Sequence, residues 1–271
     1  MLVDTYPSAA DQIPLLAPDD KAREKDAFTA TRNGYFLAGW YRSRTEVGVD
    51  ANGKYVVIEE ITPTEIIFID SVKLDDKGEF KFNYRMPYKS FYNVVVSQED
   101  FIMLLPGYKE KIKLTGDYNN LSRTYQLVGS PESQLLWQLN DYSIMGVDRL
   151  DSIKMVYDEL MQNLDANFIK KEKEQLDSIY LNAYYEQQDF VVNFVQENSG
   201  SLSTLIALYK TFNTIPLINP EQGFEYYEMV NEGLKNSLPE NPHTLNFGNT
   251  MQKMRFKYGS TSDEATITMG N

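Results

Sequence analysis

Ile66-Ile67-Phe68-Ile69-Asp70-Ser71-Val72, followed after a short acidic stretch by Gly78-Glu79-Phe80-Lys81-Phe82, decides how this chain is read. A nearly continuous apolar run passes through a Gly-ended turn into strict alternation of apolar and polar residues. That is the signature of two paired strands in a half-buried antiparallel sheet. Working outward, Tyr35 to Tyr41, Tyr55 to Ile58, Tyr92 to Val96, Ile102 to Leu105, Lys111 to Leu114 and Tyr125 to Val128 are also strand-length and rich in β-branched and aromatic residues. Asn52-Gly53, Asp75-Asp76-Lys77-Gly78, Pro106-Gly107 and Gly116-Asp117 punctuate them. Gly supplies a positive φ and Asn or Asp bonds its own backbone, so these are turns. Short strands without intervening helices predict an antiparallel β-sandwich or barrel over residues 34–129.

The pattern switches at Gly129-Ser130-Pro131-Glu132. Ser130 is suited to accept from an orphan amide as N-cap, Pro131 fits the first helical position, and Glu132 favours the positive end of the helix dipole. Beyond it the apolar residues step at helical spacing: Leu135, Leu136 and Leu139; Ile153, Val156, Leu160 and Leu164; Leu176, Ile179, Tyr180 and Ala183; Phe190, Val191, Phe194 and Val195. Residues 130–258 are therefore expected to form an all-α bundle of about five or six helices, giving an α+β chain. Residues 1–33, with Pro7, Pro14 and Pro18, read as an extended leader or tether, and residues 259–271 as a linker.

The 271 residues suit two modules. Lys and Arg number 26 against 39 Asp and Glu, a net charge of −13, so the average field repels phosphate backbones and anionic lipid, and nucleic acid is not an expected partner. There is no cysteine, which removes disulfides, thiolate metal sites and a Cys nucleophile from these residues. Met1-Leu2-Val3-Asp4 has neither the basic region nor the apolar core of a signal peptide.

Candidate chemistry is sparse. The one histidine, His243, follows Asn241-Pro242 and reads as an exposed histidine at a helix start. Glu59 and Glu60 are strand neighbours pointing to opposite faces, so they do not flank one glycosidic bond. Asp75-Asp76 belongs to a turn, and Asp50-Ala51-Asn52-Gly53 lacks the later ligands of a calcium loop. No nucleophile elbow, phosphate-binding loop or dinucleotide fingerprint is present, and neither a catalytic group, a cofactor nor a metal is expected. The 19 Tyr, 14 Phe and 2 Trp read chiefly as packing, with Trp40, Tyr41, Tyr88 and Tyr92 as candidates for an aromatic binding surface.

Asp70-Ser71-Val72, Gly78 with Phe80 and Phe82, Tyr92-Asn93-Val94, Leu105-Pro106-Gly107-Tyr108-Lys109 and Tyr125 to Ser130 together resemble a known family. The chain is similar to the uncharacterised N-terminal β domain, with helical extension, found ahead of thioredoxin-like domains in Bacteroidota envelope thiol-disulfide or peroxiredoxin-like proteins. Ser201 to Leu208 and Leu238-Pro239-Glu240-Asn241-Pro242 extend the likeness into the helical part. The resemblance assigns structural roles to Asp70, Ser71, Gly78, Phe80, Phe82, Pro106, Gly107, Gly129 and Ser130. It also implies a Cys-x-x-Cys redox domain following residues like Ala265 to Asn271, so no catalytic cysteine can be carried over. Export to the periplasm or envelope, with an N-terminal lipid anchor, is implied as well.

Asp70-Ser71-Val72, Asp151-Ser152-Ile153 and Asp177-Ser178-Ile179 are similar to the tripeptide that is O-glycosylated in exported proteins of that phylum. The expected role is a non-catalytic accessory region that positions or recognises for a C-terminal thioredoxin-like domain. The alternative is a free-standing envelope protein holding glycan or peptide on exposed aromatics. A hydrolase would require distant carboxylates to converge.

Overall fold

The computed structural model describes residues 35–42, 54–97, 100–162 and 166–258, with side chains for all of these except residues 35–42, 166–169 and 171. The expected leader and linker lie outside them. The chain is mixed α+β and divides into two compact units at Trp137/Gln138, where the sequence pattern places the change at Ser130.

The first unit holds eight described strands in two four-stranded sheets. In one, β1 (Tyr35–Arg42) lies between β4 (Glu79–Met86) and β7 (Ile112–Thr115), with β8 (Gln126–Val128) beyond β7. In the other the order is β3 (Ile66–Lys73), β2 (Tyr55–Ile61), β5 (Phe91–Val95), β6 (Phe101–Leu104), all antiparallel.

Two expectations need correction. First, β1 pairs antiparallel with β4 but parallel with β7, so the strands are not all antiparallel. Parallel neighbours require a long crossover, and here residues 43–111, carrying the whole second sheet, supply it. Second, the turn after Val72 does not close a hairpin. β3 pairs with β2 and β4 pairs with β1, in different sheets.

The turn itself forms as read. The amides of Lys77 and Glu79 donate to Asp75 Oδ1 at 2.9 and 2.8 Å, and Gly78 takes φ 72°. It delivers the chain across to the other sheet, with Leu74 buried between the two strands. Periodicity reports which face is buried, not which strand completes the ladder.

One core joins residues of both sheets: Val56, Ile58, Tyr92, Val94, Ile102 and Leu104 from one, and Phe80, Phe82, Ile112, Leu114 and Leu127 from the other. Burying a Phe such as Phe82, 4% exposed, stabilises by about 1.5–3 kcal/mol. A helical turn, α1 (Leu121–Thr124), is capped by Asp100, whose carboxylate accepts from the amides of Leu121 and Ser122 at 2.6 and 2.7 Å.

The sheet-to-helix junction is built from small residues. Gly129 has φ 96°, and a Cβ there would lie 2.0 Å from the Lys111 carbonyl oxygen, so only glycine fits. Buried Ser130 caps the next helix, α2 (Pro131–Leu160): the Ser133 amide donates to its Oγ at 3.3 Å. Ser130 Oγ donates to Ser133 Oγ at 2.9 Å, and the Leu105 amide donates to Ser133 Oγ at 3.0 Å, tying the end of β6 to the helix start. Pro106 is buried beside it, and the Gly107 amide donates to Glu110 Oε2 at 2.7 Å.

The second unit comprises the rest of α2, then α3 (Ala166–Asn198), the short α4 (Ser203–Ala207), a two-stranded ribbon of β9 (Thr211–Phe212) and β10 (Ile215–Pro216), α5 (Phe224–Ser237) and α6 (Pro242–Tyr258). The four stripes merge pairwise onto two long helices. Tyr142 stacks on Phe190 with ring centroids 3.8 Å apart, and the Gln187 side chain donates to the Tyr142 carbonyl at 3.0 Å. Val156 is 50% exposed, so the stripe from Ile153 to Leu160 is not buried as a unit, and Leu164 lies outside the described residues. Tyr227 is buried and donates to the Leu208 carbonyl at 3.1 Å, linking α5 to the loop before the ribbon.

Candidate functional site

The site follows from alternation along β2. Val56 and Ile58 face the core, and continuing the period places Glu60 on the same face. Glu60 is 4% exposed, a carboxylate at the end of a core strand, and directly opposite it in the ladder is Tyr92, 0% exposed. Tyr84 on β4 comes from the other sheet, its ring edge-on to Tyr92 at 6.2 Å and stacked with Phe82 at 6.1 Å. Tyr88, in the connection from β4 to β5, makes a side-chain hydrogen bond to Glu60.

Burial, and secondarily the Glu60 carboxylate, pushes the hydroxyls of Tyr84, Tyr88 and Tyr92 above the usual phenol range, so they remain protonated donors at neutral pH. Glu60 Oε1 and Tyr92 Oη have no hydrogen-bond partner among the described residues. Leaving a buried carboxylate oxygen without a partner costs more than almost any other single group in a core. The opposite face of the same strands pairs Glu59 with Asn93. Burial raises the Glu59 carboxyl above its ordinary value, and the hydrogen bond from Asn93 partly opposes that.

Glu59 and Glu60 do point to opposite faces, as alternation requires. One of the two faces is the core, which the adjacency of two carboxylates on a strand does not reveal. Tyr88 is half-buried and Tyr92 fully buried, so Tyr92 is not part of an exposed binding surface: the first residues of β5 are covered on both faces. Trp40 and Tyr41 stand opposite Lys81 and Phe80 in the β1–β4 ladder, and their side chains lie outside the described residues.

Phe80 and Phe82 pack in the core, Gly78 and Gly129 hold positive φ, and Ser130 caps a helix. Asp70 Oδ1 accepts from the Ser71 amide at 2.8 Å, and Pro106 and Gly107 form the turn before β7. Ser152 and Ser178 are exposed on helices, each Oγ donating to the carbonyl four residues back.

Elsewhere, His243 is 6% exposed, which corrects the expected exposed histidine: Asn241 Oδ1 accepts its amide at 2.9 Å and the helix start turns inward. Near it in sequence, Thr244 Oγ1 has no partner among the described residues, and both side-chain polar atoms of buried Asn231 share that condition. No group of three or more His, Cys, Asp or Glu able to hold a metal occurs among the described residues. No helix among them is long and apolar enough to cross a membrane.

The arrangement in the first unit therefore offers one carboxylate acceptor, three protonated phenols and ring faces. Those groups are able to accept from a donor and to face a cation. Comparison of the chain with protein-family models, with curated proteins and with solved structures finds no match.

Proposed function

We propose that this chain is a non-catalytic recognition and positioning region acting with a thioredoxin-like thiol-disulfide domain in the bacterial envelope. Its first unit is read as a β-sandwich formed by the two four-stranded sheets around their shared core. The observation that carries this reading is the structural use of the residues behind the resemblance. Gly78 and Gly129 hold left-handed turns, Phe80 and Phe82 fill the core, and Ser130 starts the helix.

Reading the gene past Asn271 tests it. A downstream domain with a Cys-x-x-Cys motif is expected, and a stop codon or an unrelated domain there defeats the proposal. In the same setting Ser71, Ser152 and Ser178 serve as O-glycan acceptors. Protein purified from its native envelope should be heavier than its sequence by whole glycan units, and an unmodified mass counts against attachment.

A second reading, a free-standing envelope protein that holds a ligand such as a peptide or glycan, is favoured by the unpartnered Glu60 and Tyr92 atoms beside Tyr84 and Tyr88. Both readings make the chain a binder, and they differ in whether a redox domain is its partner.

A further inference from the structure

We infer that Glu60, Tyr84 and Tyr88 form a binding site for an alkylammonium group, either a free amine or the side chain of a lysine presented by a peptide. Three observations converge. Glu60 is 96% removed from solvent by relative exposure of 4%, and its Oε1 has no partner among the described residues. Its neighbours are phenol rings from both sheets and the β4–β5 connection, with Tyr84 and Tyr92 at 6.2 Å and 62°. Tyr92 is fully buried while Tyr84 and Tyr88 are half-buried, so solvent touches the constellation on their side.

An ammonium head supplies what the site lacks. It donates to the orphan oxygen, neutralises a carboxylate held in low dielectric, and sets its positive charge beside the tyrosine rings. A neutral hydroxyl compound such as a sugar would satisfy the oxygen but leave the charge uncompensated, and an anion would be repelled. The chain's net charge of −13 draws cations to it and raises their encounter rate. The Tyr88 hydroxyl bonds to Glu60 and so competes with the ligand for the carboxylate.

This inference rests on reading the chain as a binder, yet it fails separately from it: the gene's continuation and the amine titration are independent results. The test is an NMR titration of the full chain with n-butylammonium, with 1-pentanol as a neutral alcohol control. Saturable shifts of the Tyr84 and Tyr88 rings with butylammonium and none with pentanol are expected.

Glu60→Gln should weaken butylammonium binding by roughly tenfold or more. Tyr88→Phe, which removes the competing hydrogen bond and keeps the ring, should bind at least as tightly as the unmodified chain. Equal shifts with pentanol, undiminished binding by Glu60→Gln, or weaker binding by Tyr88→Phe would each overturn the site. A lysine-containing pentapeptide that binds more tightly than butylammonium identifies a peptide source, equal affinity identifies a free amine, and both support the ammonium site.

Discussion

The junction at Gly129 to Ser133 and the corner at Glu60 both bury polar atoms in the first unit, and they treat them oppositely. At the junction Ser130 and Ser133 bond each other, and Ser133 Oγ also accepts from the Leu105 amide. At the corner Glu60 Oε1 and Tyr92 Oη are left without partners. A satisfied network contributes to folding and to a unique strand-to-helix geometry; an unsatisfied one costs stability, a cost proteins carry at functional sites. The difference separates the scaffold of this unit from its proposed site.

Substitutions test that separation. Gly129→Ala should destabilise most, by about 3 kcal/mol or more, because the left-handed φ and the Lys111 carbonyl both exclude a Cβ. A urea unfolding midpoint near that of the unmodified chain would show that the junction relaxes. Ser130→Ala should cost about 1–2 kcal/mol through loss of the cap, read from the same midpoints. Glu60→Gln should move the other way, stabilising by about 1 kcal/mol, since it removes a buried charge and keeps the shape. If it costs as much as Ser130→Ala, Glu60 belongs to the scaffold and the comparison breaks.

Two pH effects are smaller. The Glu59 carboxyl is raised by burial, so the folded state holds a proton that the unfolded state has released. Stability therefore falls as pH rises from the ordinary glutamate range through the raised value, and Glu59→Gln should flatten that part of the profile. Burial pushes the Tyr227 hydroxyl up to about 12, above the usual phenol range. Its contribution is present below the unfolded value and is lost as pH rises through the folded one. Alkaline unfolding of the second unit, followed by tyrosinate absorbance, should begin at higher pH in Tyr227→Phe.

The elements were legible because burial imprints a period. Every strand from Tyr35 to Val128 and the helix start at Pro131 stand within a few residues of where the pattern puts them. Partners were not legible. Ile66 to Val72 and Glu79 to Phe82 carry the alternation of a paired hairpin, yet each completes a different ladder, because the turn at Asp75 to Gly78 satisfies its own hydrogen bonds whichever sheet the chain enters next. The corner was half legible. Alternation from Val56 through Ile58 assigns Glu60 to the core face, but the three tyrosines that surround it come together only in three dimensions. His243 gave no signal of burial, since a Pro-started helix can present its first turn to either side.

The place of β1 between β4 and β7 has a consequence for how the chain acquires its structure. Tyr35 to Arg42 must wait for β7, Ile112–Thr115, before both its edges are paired, a separation of about seventy residues, and high contact order slows folding. Until β1 inserts, β4 and β7 each present an open edge, the kind of surface on which a second chain adds a strand. Folding of the first unit is therefore expected to be slow and concentration-sensitive, its vulnerable moment set by one central strand at the far end of the sequence from the segment that completes its ladder.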